Sequence, residues 1–439
     1  MLPAEVRQVI DAIWDKIWSS GISNPLTAIE YLTVVLLLRQ ESALSDEHAP
    51  EALPSWAEMR EAAARGDGDS IAQGMTAIQR AYGIGASPEI AASSTWHDVA
   101  TLREIMSRVE RLTLGDRNHD ILGDTFEYIL NHLSTAGHFG QFRTPRHLIE
   151  FVVNLINPVP GERILDPACG TAGFLIAARQ HQGVAHGSYC GIEVDATVAR
   201  IARANTLVHG LSHDSIIHSD SFLLRNRDAD VILANPPFAG SITLDRVAGF
   251  KSGTQKSELL FLELMMYRLR PGGRAGVVVP SSVLTSSAAG PRWVRRQLVE
   301  SNDLRAVVEL PSGVFRPYTD VRTAVIFWTN SRPSDNVLMV KVGSDGYSLD
   351  DRREEIDHND LPAALALLTG EDNAPIPHSL TPSSAIANNR YILSPSRYIA
   401  APESLPRHDG PSVADALSDV KSGLLRLTER LEQLERGLS

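Results

Sequence analysis

The sequence predicts an α/β protein: one open, mostly parallel, seven-stranded Rossmann-like sheet, an α-helical N-terminal domain before it and a coiled-coil helix at its C-terminal end. Three observations predict this. From about residue 160, short apolar runs alternate with helical stretches, as in a parallel sheet with crossover helices. Ahead of them, apolar residues recur at helical spacing. Behind them, the final residues carry a narrow apolar seam.

In chain order, Val6, Val9, Ile10, Ile13, Trp14, Ile17 and Trp18 mark a first helix, and "TAIEYLTVVLLLRQ" a second. Residues 43–100 are rich in Ala, Glu, Asp, Ser and Gly and say little beyond helical patches such as "AIQRAYG". "DILGDTFEYILNHL" reads as one more amphipathic helix leading into the next domain. The runs "ERILD", "YCGIE", "SIIHS", "DVILA", "AGVVVP", "LRAVVEL" and "TAVIFW" then supply seven strands. After Asn330 the chain reads as irregular and polar up to a Pro-rich stretch ending at Pro411. Ser412 and Asp415 start a helix in which Val413, Leu417, Val420, Leu424, Leu427, Leu431, Leu434 and Leu438 repeat in steps of four and three. So narrow a seam suits a partner's helix better than a core face, the plain alternative being a helix packed on its own domain. The expected division is 1–135 helical, 136–345 sheet domain, 346–410 irregular extension and 411–439 heptad helix.

Composition narrows the function classes. With 439 residues, 43% hydrophobic and 21% charged, the chain is globular and long enough for two or three domains. No stretch approaches the roughly 18 to 20 apolar residues that span a bilayer, and Met1 is not followed by a secretory pattern, so the chain reads as cytoplasmic with no membrane partner. Cys169 and Cys190 lack metal spacing and read as small core residues. The net charge of −12 is the wrong sign for gripping DNA unaided, so a nucleic-acid substrate implies a partner that supplies much of the grip.

The first α/β unit, "RILDPACGTAGFLIAARQ", places Asp166 at a strand end, then Gly170, Ala172 and Gly173 where a ligand can approach the backbone and a helix N-terminus. Alone, such a turn is weak evidence. The second strand adds Glu193, placed to bind ribose hydroxyls. The third ends in "HSDSF", where Asp220 is suited to an adenine amine and Phe222 to its ring. All lie at the same end of successive parallel strands, which points to a nucleoside-containing cofactor.

The fourth strand runs into Asn235, Pro236, Pro237 and Phe238. The prolines restrict the backbone and offer no N–H, leaving carbonyls and the Asn amide in a fixed direction. An exocyclic amine on an aromatic base is a poor nucleophile because its lone pair is delocalised. Acceptance of its two hydrogens by the Asn235 side-chain oxygen and the Pro236 carbonyl favours a pyramidal nitrogen aimed at an electrophile. Phe238 is suited to stack on the base, which must leave the duplex to arrive there.

"DPACGTAGFL", "GIEVD", "DSF" and "NPPF", in this order, resemble the γ-class amino-methyltransferases of DNA that use S-adenosylmethionine. "DILGDTFEYIL", "GQFRTPRHLIEFVV", "SELLFLELMMYRLRPGGRAGVVVPSSVL", "LPSGVFRPYTDVRTAVIFW", "DGYSLDDRREEI" and "LSPSRY" resemble more narrowly the modification (M) subunits of type I restriction-modification systems, over about residues 115–400. The resemblance implies a helical N-terminal domain, a seven-stranded methyltransferase domain and methylation of adenine at its exocyclic N6 amine. It implies that Gln141, Phe142, Arg143, Thr144, Pro145 and Arg146 contact the methionine part of the cofactor. Arg143 stands where the family carries an aromatic, with Phe142 one place earlier. It further implies that Asp166, Gly170, Thr171, Ala172 and Gly173 form the cofactor turn, with Glu193 on the ribose, Asp220 and Phe222 at the adenine, and Asn235, Pro236, Pro237 and Phe238 as the catalytic platform. The implied partners are double-stranded DNA, a specificity (S) subunit held through the C-terminal helix, a second M chain and a restriction (R) subunit. With only about a hundred residues after the last strand, the chain has no room for its own base-reading domain. The arginines of "PRWVRRQ", Arg292, Arg295 and Arg296, read either as DNA contacts or as a solvated helix face. The Asn-Pro-Pro-aromatic platform also serves methylation of protein glutamine amides, rRNA bases and the cytosine amine, and a cofactor-sensing scaffold that keeps the fold is the non-enzymatic alternative.

Overall fold

Apolar periodicity in the N-terminal region becomes a layer of helices: α1 (Ala4–Ser19), α2 (Pro25–Glu41), α3 (Trp56–Arg65), α4 (Gly68–Ala81) and α5 (Val99–Glu110). These come from a computed structural model that describes residues 4–22, 25–41, 53–84, 98–111, 125–129, 144–183, 187–224, 226, 228–238, 240–243, 249–371 and 374–400. α1 is amphipathic and buries Ile10, Ile13 and Ile17. α2 is apolar all round and buried along most of its length, as such a helix must be. The stretch that reads as uninformative holds α3 and α4; Ser55 and Glu58 form a reciprocal capping box before α3, and Gly66 closes it in a left-handed conformation (φ +75°). Of "DILGDTFEYILNHL", residues 125–129 are described and helical.

The sheet is built as expected from strands β1 (Arg163–Asp166), β2 (Ser188–Glu193), β3 (Ile216–His218), β4 (Ala229–Ala234), β5 (Leu269–Pro280), β6 (Asp303–Glu309) and β7 (Thr323–Thr329). Its count is not seven, because β8 (Asn336–Lys341) and a last strand, β11 (His378–Pro382), extend it to nine. The order is β11-β8-β6-β7-β5-β4-β1-β2-β3. β1 to β5 pair in parallel, whereas β7 is antiparallel to both β5 and β6. β11 carries no apolar signal, with Leu380 63% exposed, and its Pro382 is tolerated because the strand lies at an edge.

The described residues after Asn330 are thus not irregular. They add these two strands, a hairpin of β9 (Asp345–Tyr347) with β10 (Glu355–Asn359), and helices Leu361–Leu368 and Ser383–Asn388. Crossover helices α6 (Arg146–Ile156), α7 (Gly173–Gln182), α8 (Ala196–Val208) and α9 (Ser257–Arg268) cover the sheet. The N-terminal layer shares a core with this body, since Ile201, Ala204 and Val208 of α8 join its apolar cluster and Arg200 of α8 pairs with buried Glu30 of α2 at 2.8 Å. Met1–Ile399 forms one compact unit and Ala400–Ser439 a second. The heptad helix expected over 411–439 lies outside the described residues.

The helix Ala289–Glu300 divides its arginines by geometry. Arg295 is 1% exposed and donates to the carbonyls of Tyr391, Val283 and Ser286. It is a structural group, neither a DNA contact nor part of a solvated face, because it falls on the turn that buries Val294 and Leu298. Arg296 faces solvent and pairs with Glu300 at 2.6 Å, while Arg292 is exposed. Cys169 is buried and Cys190 half-buried, both as free thiols. Among the described residues no helix is long and apolar enough to cross a membrane, and no His, Cys, Asp and Glu group could hold a metal.

Candidate functional site

Parallel strands deliver their carboxyl ends to one rim of the sheet, and the loops leaving β1 to β4 enclose a cavity of about 440 Å³ there. β1 ends on Asp166, 1% exposed, whose carboxylate accepts the Ala168 N–H at 3.0 Å. Burial raises its pKa to about 8, opposed by that hydrogen bond and assisted by nearby Glu193. The turn that follows lays Cys169 against β2, its N–H donating to the Ile192 carbonyl at 3.1 Å. This approach requires Gly191, because a Cβ there would stand 2.8 Å from the Cys169 sulfur. Ala172 then takes a left-handed conformation (φ +69°) and α7 starts without a side-chain cap, leaving its first N–H groups to other acceptors.

Glu193 ends β2, 5% exposed, and binds both neighbouring loops: Oε2 accepts the Gly170 N–H at 3.1 Å and Oε1 the Asp195 N–H at 2.9 Å. Burial raises its pKa against those backbone hydrogen bonds. Asp220 follows β3 and accepts the Phe222 N–H at 3.0 Å. Phe222 packs into an aromatic group with Phe261 at 4.8 Å and Phe250 at 5.6 Å.

At the end of β4, the Asn235 amide donates to Thr144 Oγ1 at 2.8 Å, and its side-chain oxygen is buried without a partner among the described residues. Pro236 is buried and Pro237 exposed. The platform is braced from α9, where Ser257 Oγ donates to the Pro237 carbonyl and accepts the Gly240 N–H, each at 3.0 Å. Phe238 is half-buried and meets buried Phe315 edge-on at 6.1 Å.

The cavity therefore brings together Thr144, Asp166, Gly170, Thr171, Gly173, Glu193, Asp220, Phe222, Asn235, Pro236, Pro237 and Phe238. Pro145, Arg146 and Ala172 do not line it. Pro145 caps α6; Arg146 lies on the exposed first turn and pairs with Glu150 at 2.9 Å; Ala172 is fully buried behind the turn. Gln141, Phe142 and Arg143 lie outside the described residues. Sequence reasoning missed Ser257, Ile149 and Phe261, which also line the cavity. Ser257 opens a helix and reads as an ordinary start residue; only its distance to the platform reveals the brace.

An open sheet in which an antiparallel β7 separates β5 from β6, with a ligand-sized cavity over its carboxyl rim, is the fold of the class I methyltransferases. A structure from Listeria monocytogenes described as a putative class I S-adenosylmethionine-dependent methyltransferase shares it at a TM-score of 0.52, with 17% identity over 80% of this chain and 100% of that one. Within that class the chain belongs to the N-6 DNA Methylase family, whose profile matches residues 117–405. It is 33% identical over 256 residues to the type I restriction enzyme EcoEI methylase subunit of Escherichia coli, covering 54% of this chain and 52% of that protein. It is 25% identical over 344 residues to the HindI methylase subunit of Haemophilus influenzae, covering 72% and 76%. The chain spans about half the length of the first of these. The modification subunit of a putative type I restriction enzyme from Vibrio vulnificus has the same fold at a TM-score of 0.69, with 24% identity over 88% of this chain and 94% of that one.

Proposed function

We propose that this chain is the modification subunit of a type I restriction-modification system, transferring a methyl group from S-adenosylmethionine to the N6 amine of an adenine flipped out of double-stranded DNA. The observation that carries the reading is the state of Asn235: its amide is committed to Thr144, and its buried oxygen is left for another donor. An unpaired buried acceptor is unfavourable, and this one belongs to a side chain that lines the cavity. A base amine is such a donor.

The cavity fits the cofactor. Asp166 is a buried acid at the end of β1, suited to the cationic methionine end. Glu193 and Asp220 suit ribose hydroxyls and an adenine amine, and Phe222 supplies an apolar wall. When bound, S-adenosylmethionine supplies an electrophilic methyl group. Asn235 and the Pro236 carbonyl take the two hydrogens of the target amine, which localises its lone pair, and Phe238 stacks on the extruded ring. The proton leaves after the nitrogen becomes cationic, so no strong base is needed beforehand.

Sequence specificity comes from a separate specificity subunit, gripped by the heptad segment 411–439, with a second copy of this chain and a restriction subunit completing the assembly. The net charge of −12 supports this, since a chain so acidic needs a partner's help on phosphates. The test is mass spectrometry of nucleosides from unmethylated DNA incubated with methyl-labelled S-adenosylmethionine and the chain, alone or with its specificity subunit. Labelled N6-methyladenine in the paired reaction is expected; its absence there, or label on cytosine, overturns the assignment.

A further inference from the structure

The first turn of α6 is held by a cluster of four residues, none of which lines the cavity. His147 Nε2 lies 2.9 Å from Asp345 Oδ2 and, because an ionised carboxylate only accepts, it is the donor. Asp345 opens the β9–β10 hairpin, is 1% exposed, and takes a second bond on the same oxygen from the Arg353 guanidinium. Arg353 also donates to the Ser348 carbonyl at 2.9 Å. The Tyr347 ring stacks on His147 at 4.5 Å and lies 5.4 Å from the Arg353 guanidinium.

Hydrophobic burial does not account for this arrangement. All five residues of β10 are exposed. Arg353 holds a left-handed backbone (φ +50°), which a non-glycine residue keeps only where its surroundings demand it. What the cluster does hold is the start of α6. Three residues before His147 stands Thr144, which receives the Asn235 amide. Two residues after it stands Ile149, packed so tightly on the cofactor turn that a Cβ on Gly173 would lie 2.9 Å from its Cδ1.

The geometry points to Asp345 and His147 as positioning residues for methyl transfer: the hairpin clamps the first turn of α6, and that turn sets the Thr144 hydroxyl that orients the Asn235 amide. The inference rests on the proposed role of Asn235. The catalytic groups thus depend on a hairpin more than a hundred residues downstream.

The test uses the full chain with its specificity subunit and measures single-turnover methyl transfer at saturating S-adenosylmethionine, alongside cofactor affinity. His147→Ala and Asp345→Ala are each expected to slow transfer at least tenfold, with affinity within threefold of the parent. His147→Gln keeps a donor toward Asp345 and is expected to recover most of the rate; this pair carries the test if Asp345→Ala does not fold. The double variant His147→Ala, Thr144→Ala should be no slower than Thr144→Ala alone. Multiplied losses in the double variant, or a parental rate in His147→Ala, overturn the clamp. A second readout does not need activity: peptides carrying Thr144 and Asn235 should exchange amide hydrogens at least threefold faster in His147→Ala. If the parent transfers no methyl group, the reading of the site fails, and unchanged exchange in His147→Ala then overturns the clamp separately.

Discussion

Asn235 and Thr144, 91 residues apart in the chain, are joined by a 2.8 Å hydrogen bond in which the amide donates and the hydroxyl accepts. The bond fixes which way the amide faces. Its oxygen is left buried and unpaired, a state that costs about 1–3 kcal/mol until a donor arrives. On the proposed reading, that donor is the N–H of the target amine.

Replacing Asn235 with Ala removes that acceptor but leaves intact the part of the cavity proposed to hold the cofactor. Methyl transfer should fall by roughly 10²–10³-fold or more, the scale of losing one preorganised polar group. Cofactor affinity, read by calorimetry, should stay within about threefold. Thr144→Ser should keep most of the rate and Thr144→Ala should not.

Asp166 makes the free protein pH-sensitive. Its pKa is raised to about 8 in the fold by burial, against about 3.9 in an unfolded chain. Between those values the folded state holds the extra proton, so stability falls as pH rises. Asp166→Asn lacks this penalty. In thermal melts without cofactor, the melting temperature of the variant relative to the parent should climb from about pH 4 to about pH 8 and then level off. A difference independent of pH would contradict the raised pKa.

Gly191 is where β2 admits the turn that follows β1. A methyl group there would meet the Cys169 sulfur and Ile216 Cδ1 at 2.8 Å and Leu175 Cδ1 at 2.9 Å. All three neighbours are buried. Gly191→Ala should destabilise the fold by about 1–3 kcal/mol in urea titration, as overpacking does.

Arg295 and Arg292 stand on one helix with opposite fates. Arg295→Met leaves three carbonyl partners without their donor, the Val283 carbonyl buried and those of Tyr391 and Ser286 half-buried, and should lower stability by about 2–4 kcal/mol. Arg292→Ala, at an exposed position, should change it by less than about 0.5 kcal/mol. Equilibrium denaturation of the two variants side by side distinguishes these outcomes.

Much of the site was legible because its chemistry is local. Asp166 and Glu193 end their strands and Asp220 and Asn235 follow theirs within two residues, and a strand end is readable from a few residues of apolar run and turn. Parallel pairing then brings the four together without further instruction. β11 was not legible because an edge strand need bury only one residue, Thr381, and so shows no periodicity. Arg146 does not join the cavity lining, because neighbouring residues of a helix start point in different directions: Thr144 turns to the cavity and Arg146 to Glu150.

By itself, then, the sequence determined the kind of protein: seven strands of the sheet, the helices between them, the carboxylates at the strand ends and the Asn-Pro-Pro-Phe platform. Hydrophobic period and turn chemistry act over a few residues, so they are written in the chain. Only the tertiary structure decided that Arg295 is interior while Arg296 is not, that Ser257 braces the platform, and that Asp345 reaches back to His147. Those are choices of partner between residues far apart in sequence, and burial and hydrogen bonding at such range are settled by packing, which no local pattern encodes.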